Sequence, residues 1–149
     1  MTASDMAQIH YEKMTRNQRN NRFKTWALTL LVVYWLALIL GTHVPQAPHV
    51  LLPKDVSDKL LHLTAYCGLA LLICLNWSLR RPLNWRQGVI VLALLAGFGA
   101  LDELTQIPVG RDCDLMDWYA DVIGATAGVG LFLLAAGVFR LPERDTGPA

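Results

Sequence analysis

An all-α integral membrane bundle of four transmembrane helices is the fold class this sequence predicts, and three observations predict it. Of 149 residues, 54% are hydrophobic and only 17% charged, and mean hydropathy is +0.34, outside the balance of ordinary soluble domains. The charges leave four long stretches empty instead of scattering along amphipathic elements. The basic residues also segregate, so that alternate connections are rich and poor in them.

The first stretch lies between Lys24 and Lys54, which bracket 29 residues without a formal charge, and Trp26 to Leu40 is apolar almost throughout. This predicts a spanning helix over 25–42. Residues 1–22 are polar and read as a mobile cytoplasmic segment with room for a short surface helix. They do not form a cleaved leader with the first span, because the apolar run is too long and no small-x-small cleavage site follows it. Lys59 and Arg80 bracket 20 uncharged residues, Arg86 and Asp102 bracket 15, and Asp121 and Arg140 bracket 18. They predict helices over 59–79, 87–105 and 119–139, giving a membrane domain over 23–140 and a short cytoplasmic tail over 141–149. No span alternates with period two, and a bilayer accepts only helices or closed barrels, so helices are favoured. A soluble all-α protein is the competing class; four such spans in one short chain weigh against it.

With both termini cytoplasmic, ten basic residues fall inside and only Lys54, Lys59 and Arg111 outside. That is the arrangement of a multi-pass membrane protein. Acidic residues divide the other way, so the inside carries net +6 and the outside −5. Insertion does not require eight carboxylates on one face, so they call for another reason.

They gather at helix ends that meet at one surface. Asp58, Lys59, His62 and Tyr66 open the second span; Asp102, Glu103 and Gln106 close the third; Arg111, Asp114, Asp117 and Asp121 lead into the fourth. Steps of three and four put Asp58, His62 and Tyr66 on one helical face, Asp102 and Gln106 on another, and Asp114, Asp117 and Asp121 on a third. The 15 uncharged residues of the third span rise only about 22 Å against a core of about 30 Å, which places Asp102 and Glu103 below the interface. An ionisable group at that depth needs a partner and marks a candidate site.

Each residue also has a plainer reading. Asp58 or Ser57 serves as an N-cap, Lys59 snorkels, His62 is a packed, hydrogen-bonded histidine, and Arg111 is a solvated loop residue. Gly124 and Gly128 form a small-xxx-small pair suited to close helix packing, and Pro108 and Gly110 suit a turn. Cys67 and Cys74 lie within a span and Cys113 stands alone in a loop, without a disulfide or metal-binding pattern. Asp, Glu and His side chains are able to hold Mn, Mg or Zn, but no dedicated ligand motif is present, so no metal or cofactor is assigned. Trp26, Trp77, Trp85, Trp118 and Tyr119 fit interfacial anchors better than base-stacking platforms, and nucleic acid is not an expected partner. The expected partner is the bilayer itself, and the sequence fixes no oligomeric state.

As a set, DKLLHLTAY (Asp58 to Tyr66), DELTQIPVGR (Asp102 to Arg111) and DWYADVIGATAG (Asp117 to Gly128) resemble the VanZ-like family of small bacterial membrane proteins, over most of residues 26–139. The family takes its name from an accessory protein of teicoplanin resistance. One departure is Asp121, where many members carry Asn. The resemblance implies a multi-helix protein of the cell envelope and supplies no reaction.

Three functions compete. The first is an envelope factor whose outward acidic site binds a lipid-linked or cell-wall component and alters glycopeptide susceptibility. The second is an enzyme acting on a lipid head group, with His62 as acid or base, an aspartate activating water or attacking, and Lys59 and Arg111 holding a phosphate or carboxylate. The third is a cation or proton translocator, disfavoured because spans one and four carry no polar run.

Overall fold

The computed structural model describes residues 3–43, 54–109 and 113–139. Among these are four long helices, α1 (Ala3–His43), α2 (Lys54–Ser78), α3 (Trp85–Gln106) and α4 (Leu115–Phe139), with a 3-10 turn at Ile107–Val109 after α3, and no strand. Each long helix carries a stretch long and apolar enough to cross a membrane.

The helices start earlier than the charges suggest. α1 runs unbroken from Ala3 where the sequence predicts a span from 25, because residues 3–24 hold no Gly or Pro and are rich in helix formers such as Ala, Met, Gln, Glu and Arg. Its 41 residues extend about 60 Å, twice the hydrocarbon thickness, so the polar half continues past the apolar layer. α2 begins at Lys54 and α4 at Leu115, each several residues before the predicted start. Charged residues at a membrane edge end the apolar stretch without ending the helix.

Local chemistry fixes the other boundaries. Asn84 caps α3: its side chain accepts from the Arg86 and Gln87 amides at 2.9 and 3.3 Å, while Gln87 accepts the Asn84 amide at 3.0 Å. The Arg80 guanidinium donates to the Asn76 carbonyl at 2.7 Å, meeting one of the exposed carbonyls that close α2. Asp114 caps α4 by accepting the Met116 amide at 2.8 Å.

α2 and α4 form the closest pair, α3 packs chiefly on α4, and α1 leans on α2. The approach depends on small residues. A Cβ on Gly124 would run into the backbone carbonyl of Leu63, and one on Gly128 into that of Cys67, so both glycines bring α4 directly onto the backbone of α2. Tyr66, Leu69, Ala70 and Cys74 of α2, Val91 and Leu95 of α3, and Ala125 and Val129 of α4 form an apolar core. Leu60, Leu94, Ile123 and Leu134 point outward, as lipid-facing positions require.

Neighbouring helices run antiparallel. The end of α1 meets the end of α3 where the Thr42 hydroxyl donates to Asp102 at 3.2 Å, and at the opposite end of the bundle Asn76 of α2 donates to the Ala27 carbonyl of α1 at 2.9 Å. The C-terminal ends of α1 and α3 therefore share one face with the N-terminal ends of α2 and α4.

Candidate functional site

That shared face collects the polar side chains. His62, about two turns into α2, lies with Nδ1 2.9 Å from Asp121 Oδ1, and the two side chains are 2% and 0% exposed. Asp121 has room because α3 carries Gly99 opposite it, where a Cβ would sit 2.9 Å from Asp121 Oδ2. The Trp118 indole donates to the Ala96 carbonyl at 2.9 Å and pins α4 to α3 beside this point.

Nearer the surface, Lys59 bridges two acids, at 2.7 Å to Asp114 Oδ2 and 2.9 Å to Asp117 Oδ1. Its charge is committed to these neighbours. Asp114 is a junction: it caps α4, accepts Lys59, and donates its own amide to Glu103 Oε2 at 3.0 Å. The Lys59 ammonium and the Met116 amide hold the Asp114 carboxyl below its ordinary range.

Asp102 lies on the α1 side of the cluster. It accepts Thr42 at 3.2 Å and Gln106 at 3.4 Å, with His43 Nδ1 3.9 Å away. His43 also reaches the Thr105 hydroxyl at 3.2 Å. Tyr66 is sealed in the core, stacked on Phe98 at 6.0 Å, with its hydroxyl turned toward Asp121 but not aligned as a hydrogen bond. Among the described residues, three buried oxygens, Tyr66 Oη, Glu103 Oε1 and Asp121 Oδ2, have no hydrogen-bond partner.

The structure thus brings Lys59, His62, Tyr66, Asp102, Glu103, Gln106, Asp117 and Asp121 to one end of the bundle, with Glu103, Gln106, Asp117 and Asp121 all buried. Asp58 is half-buried, and its carboxylate lies within 4.8 Å of ligand atoms of His62 and Asp117. Helix α2 begins a full turn before Asp58, so neither Ser57 nor Asp58 is the N-cap. Lys59 is held in an ion-pair fork and does not simply snorkel. Arg111, expected either as a solvated loop residue or as a holder of a phosphate or carboxylate, lies outside the described residues.

Thr42, His43 and Gly99 were not singled out from the sequence. Thr42 and His43 are the polar pair closing an otherwise apolar span, which was the available signal; Gly99 becomes meaningful only once Asp121 is seen across from it. Asp114 was counted among the outer acids without a distinct role, and its place at the junction follows from capping α4.

Chemically, the cluster combines an imidazole–carboxylate pair, a second buried carboxylate with a free oxygen, and a phenol, inside a largely apolar bundle. Antiparallel spanning helices with polar groups concentrated at one end define a multi-pass membrane protein with a terminal polar site. The VanZ/LLP1 family model matches residues 6–136, nearly the whole chain, and the chain belongs to that family. No curated protein and no solved structure matches it.

Proposed function

We propose that this protein is an envelope factor of the bacterial cytoplasmic membrane, with both termini cytoplasmic, whose polar site receives the head group of a lipid-linked cell-wall component from the outer leaflet and thereby alters glycopeptide susceptibility. The observation that carries the reading is the set of three buried oxygens, on α2, α3 and α4, that have no partner among the described residues, because a buried polar group left unmet is costly and a bound polar group completes it. In this orientation the polar end of the bundle faces the outer leaflet, and the ten-to-three division of basic residues supports it.

Beneath Tyr66 the interior is closed by Leu69, Ala70, Cys74, Val91, Leu95 and Val129. That apolar floor favours a terminal binding site over a conduit for ions or protons. A lipid head-group enzyme is the second reading, favoured by the buried His62–Asp121 pair, the geometry of an oriented general base.

Native mass spectrometry of the protein with a polyprenyl-diphosphate-linked disaccharide, against phosphatidylglycerol, tests the binding. Preferential retention of the disaccharide lipid is expected, falling about tenfold in Glu103→Gln, a loss of about 1.4 kcal/mol. Equal retention of both lipids contradicts the reading. Conversion of the lipid during incubation selects the enzyme, and teicoplanin susceptibility of cells with and without the protein tests the phenotype.

A further inference from the structure

One imidazole nitrogen of His62 and one carboxylate oxygen from each of Glu103 and Asp121 lie within 4.8 Å of one another, all three residues being buried. We propose that these three side chains bind one divalent transition-metal ion of the manganese or zinc class.

The spacing suits such an ion. Around a metal with bonds of about 2.1 Å, adjacent ligands stand roughly 3–3.4 Å apart. His62 Nδ1 and Asp121 Oδ1 are already 2.9 Å apart, so the ion replaces the proton the pair shares, and modest side-chain rotation brings Glu103 in.

Two of the three unpartnered oxygens, Glu103 Oε1 and Asp121 Oδ2, belong to these ligands. A proton shared between the two carboxyl groups is the competing occupant, since they stand close together. A dication instead coordinates both carboxylates and offsets their paired negative charge inside an apolar bundle.

Supporting contacts surround the ligands. The Asp114 amide holds the other oxygen of Glu103 at 3.0 Å, and Gly99 lets the Asp121 carboxylate lie against the backbone of α3. Asp58, His62 and Asp117 form a second trio that shares His62, but Asp117 is already engaged by Lys59 at 2.9 Å and Asp58 is only half-buried, so the deeper trio is assigned. One imidazole with two carboxylates suits manganese, cobalt or zinc better than magnesium or calcium, which favour oxygen-only shells.

The metal site stands without the head-group reading, and it deepens that reading in one respect. An ion held by three protein ligands keeps a position for an outside oxygen, which lets a phosphate-bearing head group approach an acidic cluster that would otherwise repel it.

The test uses the full-length protein in detergent, stripped with a chelator, dialysed, and titrated with Mn²⁺ or Zn²⁺ alone, with bound metal measured by elemental mass spectrometry. One ion per chain is expected. Glu103→Gln and Asp121→Asn should each weaken binding by at least about tenfold while helical circular dichroism is retained. Glu12→Gln, on the exposed polar half of α1, should bind as the parent does. Folded, stripped protein that takes up no ion at micromolar metal overturns the proposal, as does unchanged affinity in both site variants. Should those variants misfold, pulsed paramagnetic resonance of Mn²⁺ in the unaltered protein decides: nitrogen coupling from one imidazole is expected, and its absence overturns the site. Metal uptake without head-group binding sustains the site and counts against the earlier reading; head-group binding by protein that takes up no ion does the reverse.

Discussion

His62 and Asp121 face each other across the α2–α4 interface at 2.9 Å with almost no solvent exposure, 2% and 0%. Removing either partner strands the other in a site water scarcely reaches. His62→Ala or Asp121→Ala should each cost up to about 3–5 kcal/mol, the cost of an uncompensated buried charge. The double variant should cost clearly less than the sum, with a coupling of about 1–3 kcal/mol. Reversible unfolding in mixed micelles measures all three; strict additivity would mean that the pair does not interact.

Gly124 and Gly130 lie on the same helix and differ in what surrounds them. A side chain at Gly124 meets the Leu63 backbone, whereas nothing lies within 4 Å of a Cβ at Gly130. Gly124→Leu should separate α2 from α4 and destabilise by at least about 2 kcal/mol. Gly130→Ala should be neutral or stabilise by up to about 1 kcal/mol through helix propensity. Thermal denaturation in detergent checks the pair, and equal effects at the two positions would contradict the packing.

Asp114 carries the acid-sensitive contact. Its carboxyl is held below the ordinary range by Lys59 at 2.7 Å, so the stabilisation is present above the unfolded value of about 3.9 and is lost as pH falls through the lowered folded value. Asp114→Asn keeps a side chain able to cap α4 and loses the charge. The parent should be the more stable at neutral pH, and the two should converge as pH falls below about 3.9. A constant difference down to the acid limit would remove the ion pair from the account.

Cys113 is exposed beside the polar end of the bundle, whereas Cys74 is buried. With the proposed orientation, a membrane-impermeant maleimide should label Cys113 in intact spheroplasts, and Arg81→Cys, in a chain whose Cys113 is replaced by Ser, should react only after permeabilisation. The opposite pattern inverts the topology.

The four spans were legible because absence of charge is an unambiguous signal over 15 or more residues. Their starts were not: Lys59 and Asp121 end the uncharged stretches while remaining inside helices, so counting between charges shortens α2 and α4 at the N-terminal end. The polar half of α1 escaped because exposed helix formers leave no apolar periodicity to detect. In the site, helical phasing already put Asp58, His62 and Tyr66 on one face and Asp117 and Asp121 on another. Which residues pair across helices was not readable. The Thr42–Asp102 contact joins positions 60 residues apart, and the approach of Asp121 to His62 depends on Gly99 and Gly124, whose role is visible only in three dimensions.

The central claim, that a lipid head group enters the polar end of the bundle, is tested most directly by photo-crosslinking. A polyprenyl-diphosphate lipid bearing a diazirine on its sugar should label the segments around Leu60–Leu63 and Leu104–Ile107, beside His62 and Glu103, and Glu103→Gln should suppress that labelling by about tenfold. Labelling spread along the lipid-facing side of Trp26 to Leu40 in α1, and unchanged by Glu103→Gln, would contradict it.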